Sequence, residues 1–130
     1  MQAVYYRATD GSEPVSDFLD SLAPRCQAAL DNQIERLNTL GPDGAPPPFP
    51  HSSQIEGELR ELRCHYGREL HRILYRRSDN LFVLLHIIRK TSGAIPETDR
   101  QIARLRWDDF KARMDALQRR SARAAGHDAL

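Results

Sequence analysis

Residues 59–90 read LRELRCHYGRELHRILYRRSDNLFVLLHIIRK, and their pattern says most about the architecture of the chain. It contains three β-prone runs joined by very short polar links, at residues 59–66, 70–77 and 81–90. Strand-like runs with such short links predict antiparallel strands connected by hairpins. The third run is apolar on both faces. We therefore expect it to be a central strand that is covered on both sides.

Basic charge is concentrated on the same stretch. Residues 59–90 carry 8 Lys/Arg and 3 Asp/Glu, a net of +5, whereas residues 1–58 carry 3 and 9, a net of −6. Six arginines lie within residues 59–77. Guanidinium groups bind phosphate as a two-pronged fork, so such a sheet suits phosphate binding, and RNA is the first substrate to consider. Because arginine also outnumbers lysine elsewhere in the chain, an individual arginine here can equally be an ordinary surface cation.

Patterns before this stretch predict a strand and two helices. Residues 3–7 are strand-like, Ser12 can cap a first helix, and Pro24 restarts a second one. Residues 41–53 are Pro-rich and predict an extended spacer, with a mobile arm ending in His51 as the alternative. Two apolar stripes at helical spacing predict a helical hairpin that covers the sheet: Val15, Phe18, Leu19 and Leu22, then Cys26, Leu30, Ile34 and Leu37.

A C-terminal helix is predicted to begin near Thr98. Its apolar stripe consists of Ala103, Trp107, Phe110, Met114 and Leu117. We expect the half of the stripe through Phe110 to pack on the sheet. The predicted fold is α+β: a small antiparallel-rich β-sheet packed against an N-terminal helical hairpin, with a C-terminal helix. Residues 1–118 form the single domain in this prediction, and the Ala/Arg-rich residues 119–130 form a flexible tail.

Length, cysteine content and hydropathy exclude several classes of protein. A chain of 130 residues suits one domain with one modest core. Cys26 and Cys64 are too few for a disulfide framework, and no Cys/His spacing typical of a metal site occurs, so we expect reduced packing cysteines. The longest apolar run, residues 81–88, is too short to span a membrane, and no signal peptide opens the chain. We expect a cytoplasmic protein without membrane contact.

Four short motifs follow one another in the second half of the chain. They are ELR at 61–63, HRILY at 71–75, LLHIIRKT at 84–91, and Pro96 before a charged helix containing Ile102-Ala103. In this order they resemble the phage-derived RelE/HigB-type toxins of the RelE/ParE superfamily. That family shows an ELR strand, a YRxxY strand, an LLHxFxKKT strand and a KTPxxEIxxA helix start. The resemblance runs from about Leu59 to Arg106 and implies a RelE-like fold.

The chain departs from the family pattern at positions that affect the chemistry. Arg89-Lys90 replaces a Lys-Lys pair, which keeps the charge, and His71 stands where an aromatic residue usually precedes the arginine. No tyrosine follows Tyr75, so the C-terminal tyrosine of some RelE-type enzymes has no counterpart. The general acid and base are therefore left open.

The resemblance implies the toxin of a type II toxin–antitoxin system that cleaves mRNA at the ribosome with no metal and no cofactor. RNA carries its own nucleophile, the 2′-hydroxyl, and arginines can balance charge on the attacked phosphate. Arg72, from the YR motif, is the expected phosphate clamp. The expected catalytic residues are Arg63, Arg72, Arg89, Lys90 and His86. The expected RNA-binding residues are Arg60, His65, Arg68 and Arg76.

Several alternatives stay open at this stage. His86 lies in a buried run, so it is either a general acid or base or a hydrogen-bonded structural histidine. The implied partners are a cognate antitoxin, of the helix-turn-helix DNA-binding type, the ribosome and mRNA. The chain could instead be a ParE-like toxin that inhibits DNA gyrase, or a non-catalytic module of the same fold that binds antitoxin or nucleic acid. Arg72 together with the basic pair at 89–90 favours the nuclease, whereas the missing tyrosine keeps the non-catalytic module open.

Overall fold

The chain folds around a five-stranded mixed sheet in the computed structural model, which describes residues 1–40, 45–48, 51–89 and 93–128. The sheet order is β1-β5-β4-β3-β2, with β1 parallel to β5 and the other pairs antiparallel. The elements in chain order are β1 (Gln2–Tyr5), α1 (Pro14–Asp20), α2 (Pro24–Asn38), β2 (Ser52–Glu56), β3 (Leu59–Tyr66), β4 (Glu69–Ser78), β5 (Leu81–Arg89) and α3 (Glu97–Asp128).

The predicted α+β class is confirmed, and β5 is an interior strand between β1 and β4. Phe82 and Leu84 belong to the core cluster under α1 and α2, whereas Val83 and Leu85 belong to the cluster under α3. Because both faces of β5 are covered, the strand needs apolar residues at successive positions. This explains the uninterrupted run in the sequence.

Helices α1 and α2 cover one face of the sheet, as their stripes predict. Val15 and Leu19 of α1 are buried, and Phe18 and Leu22 are partly buried against the same core. All four stripe residues of α2 are buried. The prediction that Ser12 caps α1 is wrong, because the Ser12 hydroxyl donates to Asp10 and the N-cap residue is Glu13, whose side chain makes no capping hydrogen bond. Pro14 at the first position presets the helical φ instead.

Helix α3 covers the other face with the first half of its stripe. Ala103 and Trp107 are buried in the α3-side core and Phe110 is partly buried, whereas Leu117 is exposed. The helix extends to Asp128, into the segment expected to form a tail. The flexibility of that tail stays a prediction. Among the described residues, no helix combines the length and apolar character needed to cross a membrane.

Strand β2 is an edge strand that the sequence did not predict, so the expected spacer is wrong at its C-terminal end. Its sequence, SSQIE, has one large apolar residue and therefore gives no alternation signal. Pairing with β3 determines its conformation. The His51 carbonyl accepts a hydrogen bond from the Arg63 N–H at 2.8 Å, so His51 joins the sheet edge rather than ending a free arm. Residues 41–44 and 49–50 of the spacer lie outside the described residues.

Candidate functional site

A polar cleft of about 180 Å³ lies on the α3 side of the sheet. It forms where β2, β3 and β4 meet the loop before α3 and the first turns of that helix. Because side chains alternate along a strand, every second residue of β3 and β4 faces this cleft. The lining residues are Ser53, Gln54, Ile55, Glu61, Arg72, Ala94, Ile95 and Arg100.

A buried ion pair between Arg72 and Glu61 forms the floor of the cleft. The Arg72 Nε donates to Glu61 Oε2 at 2.7 Å, and the two side chains are 8% and 3% exposed. The Arg72 Nη1 donates to the Gly93 carbonyl at 2.7 Å. The Ser53 hydroxyl donates to Glu61 Oε1 at 2.9 Å. Protein partners thus fix the Arg72 guanidinium in one position, unlike that of a mobile surface arginine.

Arg63 lies directly opposite Arg72 in the register between β3 and β4. Its Nε is 3.8 Å from Glu61 Oε1, so a single carboxylate lies between two guanidinium groups. Like charges directly opposite each other on paired strands are destabilising unless an anion compensates them. Arg63 lies beside the lining, and Arg100 of α3 is the second guanidinium within it, paired with Glu97 at 2.8 Å. The cleft and its margin therefore carry three guanidinium groups against the carboxylates of Glu61 and Glu97, a surplus of positive charge.

His86 lies on the same face but is enclosed in a hydrogen-bonded network. Its Nε2 is 2.8 Å from Asp99 Oδ1, and Arg106 Nη1 is 3.2 Å from its Nδ1. Because a guanidinium can only donate, Nδ1 accepts and Nε2 carries the proton that is donated to Asp99. Arg106 Nη1 also donates to the Leu85 carbonyl at 2.8 Å. His86 is therefore hydrogen-bonded on both ring nitrogens, which is the arrangement of a structural histidine.

Arg89 lies on the opposite face of the sheet from Arg72, so the structure does not bring these two expected catalytic residues together. It pairs in register with His71, and its Nη2 is 2.7 Å from Glu69 Oε1, with 63% of its side chain exposed. A β-bulge at Leu85 reverses the alternation of the residues that follow it. Arg89 therefore faces the side of α1 and α2. Lys90, the other half of the predicted basic pair, lies outside the described residues.

The four expected RNA-binding residues are spread over the molecule rather than gathered on one surface. Arg60 lies on the α1/α2 side, opposite Tyr75, and its Nε donates to the Ser52 hydroxyl at 3.3 Å. The Arg76 guanidinium stacks 4.3 Å above the centre of the Trp107 ring on the α3 side. His65 and Arg68 are exposed at the hairpin end of β3 and β4.

Two cleft residues were missed by sequence reasoning. Ser53 belongs to the unpredicted strand β2, so no pattern placed it beside Glu61. Arg100 lies in the first turn of α3, four residues after Pro96, and its proximity to Arg72 depends on how α3 crosses the sheet. The placement of Pro96 before a charged helix is the signal that could have drawn attention to it.

The fold and the cleft define a RelE-like α+β protein. Residues 17–108, which are 92 of the 130 residues, match the family model of phage-derived protein Gp49-like (DUF891). The chain therefore belongs to this Gp49-like family, which is RelE-like and commonly toxin-like. The matched segment contains β3, β4, β5 and the first turns of α3, and thus most of the cleft. No curated protein shows significant similarity to the chain.

Proposed function

We propose that this chain is the toxin of a type II toxin–antitoxin system and that it cleaves mRNA at the ribosome, with the scissile phosphate bound in the cleft. The observation that carries the proposal is the placement of Arg63 directly opposite Arg72, around one buried carboxylate. Membership of a commonly toxin-like family supports the toxin role. The motif resemblance supports RNA as the substrate.

The proposed reaction is attack by the RNA 2′-hydroxyl on the adjacent phosphorus. The new O2′–P bond forms as the P–O5′ bond breaks, the 2′-hydroxyl loses its proton, and the departing 5′-oxygen gains one. Negative charge builds up on the phosphorane oxygens, where Arg63 and Arg72 would stabilise it. Glu61 and the Gly93 carbonyl hold Arg72 in place, so little reorganisation would accompany the reaction.

Specific observations also favour a second candidate, a module of the same fold that binds but does not cleave. Two Arg72 donors are committed to protein acceptors, both His86 ring nitrogens are bonded, and Arg89 faces the other side. A ParE-like gyrase inhibitor is compatible with the same arrangement, because it needs no cleavage chemistry. Measuring mRNA and DNA cleavage in cells distinguishes the nuclease, the gyrase inhibitor and the non-catalytic module.

Replacing Arg63 with alanine is expected to reduce mRNA cleavage by about 10²–10³-fold, the usual effect of removing one well-placed oxyanion donor. Arg63 suits this test because its side chain is 23% exposed and its removal leaves Glu61 paired with Arg72. The measurement induces each protein at matched levels in bacterial cells and maps mRNA 5′ ends. Arg25→Ala is the matched control, since Arg25 is exposed in the first turn of α2, away from the cleft.

The outcomes distinguish the candidate functions. Codon-phased cuts by the wild type that fade in Arg63→Ala and persist in Arg25→Ala support ribosome-dependent cleavage in the cleft. Equal cutting by Arg63→Ala would remove Arg63 from the site. DNA breaks with intact mRNA would point to gyrase, and intact mRNA and DNA would point to the non-catalytic module.

We also propose that a cognate antitoxin covers the groove between β1 and the second half of α3. This groove has a volume of about 400 Å³ and combines apolar side chains with the cations of Arg7 and Arg113: its lining is Tyr5, Arg7, Phe110, Arg113, Met114, Ala116 and Leu117. An amphipathic helix with acidic flanks fits this combination of an apolar floor and basic rim. The helix-turn-helix type of antitoxin is proposed from the resemblance.

Met114→Arg is expected to weaken antitoxin binding by about tenfold or more, because it puts a charge on the apolar floor of the groove. Leu105→Arg is the control on the same helix, since Leu105 is exposed and does not line the groove. Binding is measured by titration with the product of the adjacent gene. Harmless high-level expression of the chain alone, in cells without that gene, would contradict the need for a neutralising partner.

A further inference from the structure

Three side chains with metal-ligating atoms meet on the face of the sheet opposite the cleft. Cys26 comes from the first turn of α2, and Glu69 and His71 come from β4, where residues two apart share a face. Their ligand atoms all lie within 4.8 Å of one another. Cys26 and His71 are buried, and Glu69 is partly exposed, so the group is enclosed on one side and reachable from solvent on the other.

His71 is the observation that points to a ligand at this place. Its side chain is fully buried, and within the described part of the chain neither ring nitrogen has a hydrogen-bond partner. The ring packs edge-on against Phe18 at 5.8 Å between centroids, a contact that satisfies neither nitrogen. Buried polar groups are almost always paired. Burial lowers the pKa of His71, so the neutral ring retains a lone pair beside the thiol and the carboxylate.

The spacing of Cys26 and Glu69 suits a tetrahedral ion. The Cys26 Sγ is 3.7 Å from Glu69 Oε2. A zinc ion with sulfur at about 2.3 Å and oxygen at about 2.1 Å places those ligands about 3.6 Å apart. The second Glu69 oxygen, Oε1, is 2.7 Å from Arg89 Nη2, which would fix the carboxylate as outer-shell partners of metal ligands do.

We propose that Cys26, Glu69 and His71 bind a zinc ion whose fourth position is open to water or an external ligand. A thiolate, an imidazole and a carboxylate form a mixed donor set that suits zinc. Burial and the neighbouring Glu69 carboxylate raise the pKa of the Cys26 thiol, so zinc would displace the thiol proton when it binds. The ion would tie α2 to β4 and stabilise the fold. The site is separate from the proposed cleavage reaction, which uses no metal and takes place on the other face.

The test uses the full-length reduced chain, stripped of metal with a chelator that is then removed. Titration with Zn²⁺ against a chromophoric chelator is expected to show one ion bound per chain. Co²⁺ in place of Zn²⁺ is expected to give a thiolate-to-metal charge-transfer band, which Cys26→Ser should abolish. Cys64→Ser is the matched control, because Cys64 is also buried and reduced but lies outside the cluster, so this variant should keep the band.

Glu69→Gln is the second variant, chosen because Glu69 is partly exposed and glutamine keeps its size and shape. It should weaken zinc binding by about tenfold or more. It should also reduce the rise in melting temperature that Zn²⁺ gives the wild type. A folded wild-type chain that binds no zinc at micromolar concentration, a Co²⁺ band that survives Cys26→Ser, or equal zinc affinity in Glu69→Gln would overturn the site. Because the readouts involve no RNA, they stand or fall independently of the proposed cleavage.

Discussion

Replacing Arg72 with alanine is expected to lower the free energy of unfolding by about 3–5 kcal/mol, the usual cost of breaking a buried ion pair from one side. The substitution leaves the carboxylate of Glu61, which is 3% exposed, without its 2.7 Å partner. Domains of this size have total stabilities of about 5–15 kcal/mol, so the variant should be marginal at best. Chemical denaturation of the two purified proteins measures the difference.

Adding Glu61→Gln to Arg72→Ala should recover about 1–3 kcal/mol, because the second change removes a buried charge that has lost its main partner. Arg63→Ala is the matched single substitution and should cost about 1 kcal/mol or less, since its contact with Glu61 is long and partly exposed. Full stability of Arg72→Ala combined with loss of toxicity would contradict the structural role and leave Arg72 with a catalytic one. Loss of toxicity in Arg72→Ala therefore has to be compared with its stability before it is interpreted as catalysis.

The central part of the fold is predictable because its signals are local. Short polar links between the β-prone runs determine the hairpins, and the two-sided apolar run identifies β5 as an interior strand. Strand β2 could not be predicted in the same way. Its mostly polar residues acquire an extended conformation through pairing with β3, an interaction between segments that the sequence of β2 alone does not encode.

The faces on which the site residues lie were predictable only where side chains alternate regularly along a strand. Alternation correctly places Arg63 and Arg72 on the same face, because β3 and β4 pair regularly between them. Along β5, Val83 and Leu85 face α3, and uninterrupted alternation would bring Arg89 to that face as well. The bulge at Leu85 reverses the pattern, so Ile87 and Arg89 face the other way. Nothing in the run LLHII indicates where the extra residue falls.

The cluster of Cys26, Glu69 and His71 could not be predicted from the sequence, for a different reason. Short ligand spacings are what reveal metal sites in a sequence, whereas Cys26 and Glu69 are 43 residues apart. The packing of the first turn of α2 against the start of β4 brings them together. Cys64 and His65 are adjacent in the sequence, yet neighbouring strand residues point to opposite faces and cannot share an ion.

Removing the Trp107 side chain is expected to destabilise the chain by about 3–5 kcal/mol, as large-to-small changes of buried aromatic residues do. Trp107 is 9% exposed and contributes the largest side chain of the α3-side core. Its ring also supports the Arg76 guanidinium at 4.3 Å and lies 5.9 Å from the ring of Phe110. Trp107→Ala should therefore loosen α3 from the sheet and widen the cleft, which would reduce toxicity as well as stability.

Leu105→Ala is the matched control on the same helix, because Leu105 is 61% exposed and loses little burial when truncated. Its effect should stay within about 0.5 kcal/mol, as for other surface changes. Ending the chain after residue 119 should have a similarly small effect, since residues 120–130 contain one large aliphatic residue, Leu130. Thermal unfolding of Trp107→Ala, Leu105→Ala and the shortened chain tests which part of α3 stabilises the domain. If the shortened chain melts as early as Trp107→Ala, the far end of α3 stabilises the domain, and the boundary proposed near residue 118 is wrong.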